Sequence, residues 1–178
     1  MPEQVPAVLI SEAQIRDKID ELAARVSADY AAVDDLVLVA VLKGAFIFLA
    51  DLSRALTIPR RVDFLALSTY GDATATTGAV RLIMDLRTDI RGRHVLVVED
   101  IVDTGYTLSY LLKMLRAREP ASLKCCALLR KLDRKRVEVS IDYLGFDIPD
   151  LWVVGYGLDW ADRFRTLPYI GVVDPAAG

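Results

Sequence analysis

Residues 95–108 read V-L-V-V-E-D-I-V-D-T-G-Y-T-L, and this string constrains the fold more than any other part of the chain. Four apolar residues run without alternation into two adjacent carboxylates, Glu99 and Asp100. A third acid, Asp103, follows, and Thr-Gly-Tyr-Thr then opens an amphipathic segment. A strand buried on both faces of a parallel sheet reads as a continuous apolar run, so 95–98 is expected to be one. The acids then stand at its carboxyl end, where open α/β sheets bind ligands. Asp103, Thr104, Gly105, Tyr106 and Thr107 become the loop into the next helix, where free backbone N–H groups and the positive end of a helix dipole make an anion cradle. Three carboxylates beside such a cradle suit a polyhydroxylated, magnesium-bound ligand: a sugar phosphate rather than a nucleoside triphosphate.

The rest of the chain repeats the alternation of apolar runs and amphipathic segments. Ser11-Glu12-Ala13-Gln14 is a capping-box pattern, and Ile15, Ile19, Leu22, Ala23 and Val26 follow at helical spacing, which predicts a helix to about Tyr30. Strands are expected over 36–42, 62–67, 80–86, 123–129, 141–144 and 151–156, and helices over 45–56 and 107–117. Residues 68–77 read as a polar loop, and 130–136 as a basic turn. Strands alternating with helices predict a doubly wound, mainly parallel sheet flanked by helices. No linker, repeat or low-complexity tract divides the chain, so residues 1–178 are read as a single domain, with a frayed tail from Asp174.

A net charge of −3 and a pI near 5.2 give no electrostatic reason to expect nucleic acid or an anionic membrane. Mean hydropathy is +0.31, which buried strands explain, since no apolar run approaches the roughly 18 residues of a membrane span. The N-terminal Met1-Pro2-Glu3-Gln4 does not read as a secretory leader. Cys125 and Cys126 are neighbours on an expected strand and point to opposite faces, so they read as buried, reduced thiols of a cytoplasmic protein. Neither a G-x-x-x-x-G-K-[ST] loop nor a G-x-G-x-x-G is present, so ATP hydrolysis and dinucleotide binding lack their usual marks.

The 95–108 string resembles the phosphoribosyl-pyrophosphate signature of the type I phosphoribosyltransferases. The segment Phe146-Asp147-Ile148-Pro149-Asp150, with 153–159, is similar to the hypoxanthine-guanine branch. The resemblance implies a cap made by the N- and C-terminal segments. It also implies a magnesium-dependent pentosyltransferase that joins hypoxanthine or guanine to phosphoribosyl pyrophosphate, giving IMP or GMP plus pyrophosphate. Residue by residue, it implies that Glu99 and Asp100 serve the ribose hydroxyls and their Mg²⁺, and that Asp159 is a further magnesium-associated acid. Asp103 becomes the catalytic acid or base near purine N7, and the stretch from Asp103 to Thr107 holds the 5′-phosphate. Tyr106 stands where some members carry Lys; a cradle of backbone N–H groups survives that change. Lys43 and Gly44, after a strained peptide bond, together with Thr69 and Tyr70 in a closing loop and Arg165, would meet the pyrophosphate. Lys131 would donate to the purine 6-oxo group, Trp152 would stack on the base, and Val153 would offer its backbone. Read without the family, Lys131 is a solvated cation and Trp152 a core residue. The family also implies a homodimer or homotetramer. A xanthine-selective relative and an RNA-binding regulator are the alternatives. The second needs a basic face, and the sequence offers only Arg130–Arg136.

Overall fold

The computed structural model describes residues 5–70 and 79–174. In chain order its elements are β1 (Ala7–Ile10), α1 (Glu12–Asp29), β2 (Leu36–Leu42), α2 (Phe46–Ala55), β3 (Arg60–Tyr70), β4 (Ala79–Met84), β5 (His94–Val102), α3 (Tyr106–Arg116), β6 (Ser122–Lys131), β7 (Tyr143–Ile148), β8 (Val153–Val154) and β9 (Ile170–Val172). The main sheet has the order β4-β3-β2-β5-β6-β7. All its pairings are parallel except the antiparallel edge strand β4 on β3. A separate antiparallel sheet, β1-β9-β8, joins the two ends of the chain as the expected cap.

The central strands are apolar throughout because both their faces are covered. Leu36, Leu38 and Ala40 of β2 and Leu96 and Val98 of β5 meet Ile15, Ile19, Leu22 and Val26 of α1 and Phe48, Leu49 and Leu52 of α2. The alternate residues Val37, Val39, Val95 and Val97 meet Leu108, Leu111, Leu112 and Leu115 of α3 on the opposite face. A period of two along each strand with apolar residues at every position is what a doubly wound sheet requires. Helix α1 starts where its capping box directs. The Ser11 hydroxyl accepts from Gln14 N–H at 3.2 Å, and Ser11 N–H donates to the Gln14 side chain at 2.9 Å. Cys125 and Cys126 are free and fully buried, one on each face.

Several boundaries differ from expectation, each for a backbone reason. Strand β5 continues through both acids to Val102, because its pairing to β6 runs on to Ile101↔Leu129 and Val102↔Arg130. Glu99 and Asp100 therefore lie on the strand rather than beyond its end. Strand β3 extends to Tyr70, so Thr69 and Tyr70 are strand residues paired with Val80 and Ala79 and not part of a polar loop. Their side chains, and residues 71–77 of that expected loop, lie outside the described residues. The strand expected at 141–144 starts at Tyr143 and continues to Ile148. Gly145 permits this, since a Cβ there would stand 2.4 Å from the Leu128 carbonyl of β6. The strand expected at 151–156 is reduced to Val153–Val154, because Gly155 and Tyr156 turn into left-handed backbone with φ of 94° and 50°.

Asp63 is the buried acid that ties β3 to the chain after β4. Its carboxylate accepts from Phe64, Arg87 and Thr88 N–H at 2.8, 2.9 and 2.7 Å. Burial alone would raise its pKa, but these backbone donors outweigh burial and hold it below the usual 3.8. A depressed folded-state value contributes stability above the unfolded pKa, and that contribution is lost as the pH falls through the folded value. Asp63→Ala is expected to destabilise the protein by roughly 2–3 kcal/mol by leaving these donors unpaired. The loss should shrink as the pH falls below the ordinary 3.8 toward the lowered folded value; urea denaturation at pH 7 and pH 3 measures both.

Candidate active site

A cleft of about 270 Å³ opens at the carboxyl ends of β2 and β5, lined by Leu42, Gly44, Glu99, Asp100, Asp103, Thr104, Gly105 and Thr107 among others. Adjacent strand residues point to opposite faces. Asp100 leans toward the turn after β2, where a Cβ on Gly44 would stand 1.8 Å from Asp100 Oδ2. Ile101 N–H donates to Asp100 Oδ1 at 2.9 Å. Burial raises the pKa of Glu99 well above the carboxylate range, and the neighbouring Asp100 charge adds to it. Burial also lifts Asp100 to about 6; backbone N–H donors and the Arg165 charge oppose the rise, and Asp159 reinforces it. A buried and a half-buried acid side by side gain from any ligand that brings a cation or hydroxyl donors.

Asp103 is the first residue past β5, and Gly105 caps α3 with φ of 89°. A side chain on Gly105 would approach the Val137 carbonyl at 2.8 Å, so both conformation and space demand glycine. The first intrahelical bond is Ser109 N–H to the Gly105 carbonyl at 2.9 Å. The N–H groups of Tyr106, Thr107 and Leu108 are consequently left without intrahelical acceptors, as at any helix start. Thr104 is pinned from outside, its carbonyl accepting from Arg136 and Val137 N–H at 3.0 and 3.1 Å. The Tyr106 side chain is exposed. This is anion-binding geometry.

The second anion candidate is the turn Leu42-Lys43-Gly44, whose Leu42–Lys43 peptide bond is cis and which leads into α2. The cap meets it directly. Gly155 and Leu158 exchange backbone hydrogen bonds around Tyr156-Gly157, as do Trp160 and Arg163 around Ala161-Asp162. Both are two-residue turns with positive φ at each central position. The first turn sets Gly157 against the Gly44 carbonyl. Between and beyond the turns, Arg165 donates to the Gly157 carbonyl at 2.6 Å and pairs with Asp159 at 2.7 Å and Asp162 at 3.1 Å. Lys43 reaches Asp162 at 3.3 Å. Asp159 is thus held by Arg165 and by Asp162 N–H, at 2.8 Å, near enough to Asp100 for its charge to raise that carboxyl's pKa.

Of the base-recognition candidates, Lys131 stands at the end of β6, while Trp152 and Val153 follow β7 at the start of β8. Lys131 closes β6 with a side chain only 11% exposed, which sets aside the solvated reading of it. Its Nζ lies 3.2 Å from Asp150 and 3.9 Å from Asp103. Val153 is buried, whereas Trp152 is 53% exposed and so is not a core residue. Sequence reasoning passed over Arg134, Asp150, Asp162 and Gly157. Arg134 was hidden in a run of cations, yet Arg130, Lys131, Arg134 and Lys135 each meet a carboxylate. Asp150 ends the Phe146-Asp147-Ile148-Pro149-Asp150 segment, which by itself assigns it no role.

Among the described residues no three His, Cys, Asp or Glu side chains converge as a metal cage. Glu99, Asp100 and Asp159 offer oxygen donors only, which fits a hard cation that keeps waters and shares ligand phosphates.

The model for the phosphoribosyl transferase domain matches residues 11–160. The hypoxanthine-guanine phosphoribosyltransferase of Mycobacterium avium is 49% identical over 179 residues, covering 98% of this chain and 88% of that protein. The Bacillus subtilis enzyme of the same name is 44% identical over 176 residues, covering 99% and 97%. A solved structure of Trypanosoma cruzi hypoxanthine phosphoribosyl transferase, 45% identical, superposes with a TM-score of 0.92 over 99% of this chain and 96% of that one.

Proposed function

The chain belongs to the hypoxanthine-guanine branch of the phosphoribosyltransferase family, and from that premise we propose how its own residues carry the reaction. The enzyme joins hypoxanthine or guanine to 5-phosphoribosyl 1-pyrophosphate and salvages the base as IMP or GMP. The bond from ribose C1 to the pyrophosphate oxygen breaks, the bond from C1 to purine N9 forms, and the base gives up one proton. The observation that carries the assignment of roles is the convergence, in one cleft, of buried Glu99 and half-buried Asp100 with a glycine-capped helix start.

Glu99 and Asp100 accept from the ribose hydroxyls, whose donors relieve the burial of both carboxylates. The N–H groups from Thr104 to Thr107 hold the 5′-phosphate. Lys43, Gly44 and Arg165 face the pyrophosphate, with Thr69 and Tyr70 at the end of β3 as further contacts to it. Excluding water from the reacting carbon matters because the ribosyl transition state is oxocarbenium-like. Asp103 takes the proton from the N7 side of the base. Lys131 donates to the 6-oxo group, Trp152 covers the ring and Val153 lines its edge. Glu99, Asp100 and Asp159 would offer oxygen ligands to Mg²⁺ alongside ligand oxygens, and the ion would supply positive charge near the departing pyrophosphate.

Self-association as a homodimer or homotetramer belongs to this reading, as the family resemblance implies. A cytoplasmic site of action belongs to it as well. No helix of the described residues is long and apolar enough to cross a membrane. The metal assignment is tested by removal. IMP formation should disappear in EDTA and return with Mg²⁺ or Mn²⁺, and full turnover in chelator would contradict it.

A further inference from the structure

Asp103, Arg134, Asp150 and Lys131 form a closed ring of alternating charge. Arg134 Nε lies 3.0 Å from Asp103 Oδ1, and Lys131 Nζ lies 3.9 Å from Asp103 Oδ2. Across the ring, Lys131 Nζ lies 3.2 Å from Asp150 Oδ1, and Arg134 Nη1 lies 3.8 Å from Asp150 Oδ2. Each carboxylate thus presents one oxygen to each cation. The sheet register creates this arrangement. Lys131 pairs with Ile148 at the ends of β6 and β7, which brings Asp150, two residues on, beside the ammonium. Arg134 comes from the turn after β6, and Asp103 from the end of β5.

We propose that Asp150 and Arg134 are positioning residues for the purine, holding Lys131 and Asp103 apart so that both remain available to the base. This rests on the roles assigned above to Lys131 and Asp103. The Lys131 side chain is nearly buried, and an ammonium there needs a counter-charge. Without Asp150 the nearest remaining carboxylate is Asp103, only 3.9 Å away. Collapse onto Asp103 would join in one ion pair the donor meant for the 6-oxo group and the acceptor meant for the N7 side. With Asp150 in place, the closest ion pair of Lys131 lies on the far side of the ring from Asp103. Arg134 does the same for Asp103, occupying Oδ1 and leaving Oδ2 facing Lys131, the edge between the two groups that the base would meet. That edge is the one an entering 6-oxopurine can replace without opening the other three.

The test is a double-mutant cycle read as a split between the two substrates. Asp150→Asn should raise KM for hypoxanthine about tenfold, the size of one close coupling. KM for phosphoribosyl pyrophosphate should stay within twofold, which also reports an intact fold. Asp150→Glu should recover most of the loss. In a Lys131→Ala background, Asp150→Asn should change KM for hypoxanthine less than twofold, because the group it positions is gone. An unchanged hypoxanthine KM in Asp150→Asn would overturn the inference, as would equal losses in both backgrounds or equal rises in both substrates' KM. Lys131→Ala alone tests the reading beneath it: if that variant uses hypoxanthine as well as the wild type, the base-recognition role fails rather than the positioning one.

Discussion

Asp103→Asn is expected to lower kcat by roughly 10²–10⁴, the span for loss of general acid–base catalysis, while phosphoribosyl pyrophosphate still binds. The amide keeps the size of the side chain, and the phosphate cradle that follows is built of backbone N–H groups and an αL glycine rather than of this carboxylate. What the substitution removes is the acceptor for the proton the base must lose. The neighbouring acids should behave differently. Glu99→Gln and Asp100→Asn disturb the ribose and metal contacts, so their cost should fall mainly on KM for phosphoribosyl pyrophosphate. Single-turnover kinetics with substrate titration separate the two classes. Near wild-type turnover by Asp103→Asn would remove the residue from proton transfer.

Gly157→Ala is expected to destabilise the protein on the order of 4 kcal/mol, at the upper end for single substitutions. Gly157 has φ of 104°, and a Cβ there would lie 1.9 Å from the Gly44 carbonyl. The obstacle is backbone, in the turn whose Gly44 is already packed on Asp100, so no side chain can rotate away. Moving it would separate the cap from the cleft and disturb both pyrophosphate candidates at once. Gly92 supplies the control. Its φ is 67°, but a Cβ there meets nothing within 4 Å. Gly92→Ala should therefore cost only the conformational part, about 1–2 kcal/mol. Paired denaturation curves distinguish steric from conformational cost, and equal losses would mean that the Gly157–Gly44 contact contributes nothing.

The parts of this architecture legible in the sequence are those that depend on neighbouring residues. Apolar runs mark the strands because burial on both faces removes the usual polar alternation. Ser11 with Gln14 marks the start of α1 because a cap is a contact three residues long. The order acid-acid-x-x-acid-Thr-Gly reveals the cleft because strand end, turn and helix start are consecutive. What failed was local in appearance and non-local in cause. Strand β5 continues past Glu99 because β6 offers partners as far as Arg130, which no run of residues in β5 itself announces. Arg134 looked like surface charge because its partners, Asp103 and Asp150, come from other segments of the chain. Gly157 stands in the 153–159 segment, but its steric role is not legible there, since the requirement comes from the Gly44 carbonyl packed against it.

The most direct test of the account is a panel of purine bases assayed for pyrophosphate release with phosphoribosyl pyrophosphate and Mg²⁺. Lys131 presents only N–H donors, which a 6-oxo group accepts and the 6-amino group of adenine cannot. A site built around a polar contact rejects an analogue lacking it by on the order of 10⁴-fold. Hypoxanthine and guanine should turn over, and adenine should fall behind by that order. Lys131→Ala should reduce the gap by costing the 6-oxopurines about 2–3 kcal/mol of transition-state stabilisation while leaving adenine nearly unchanged. Efficient use of adenine by the wild type, or a gap untouched by Lys131→Ala, would contradict the account.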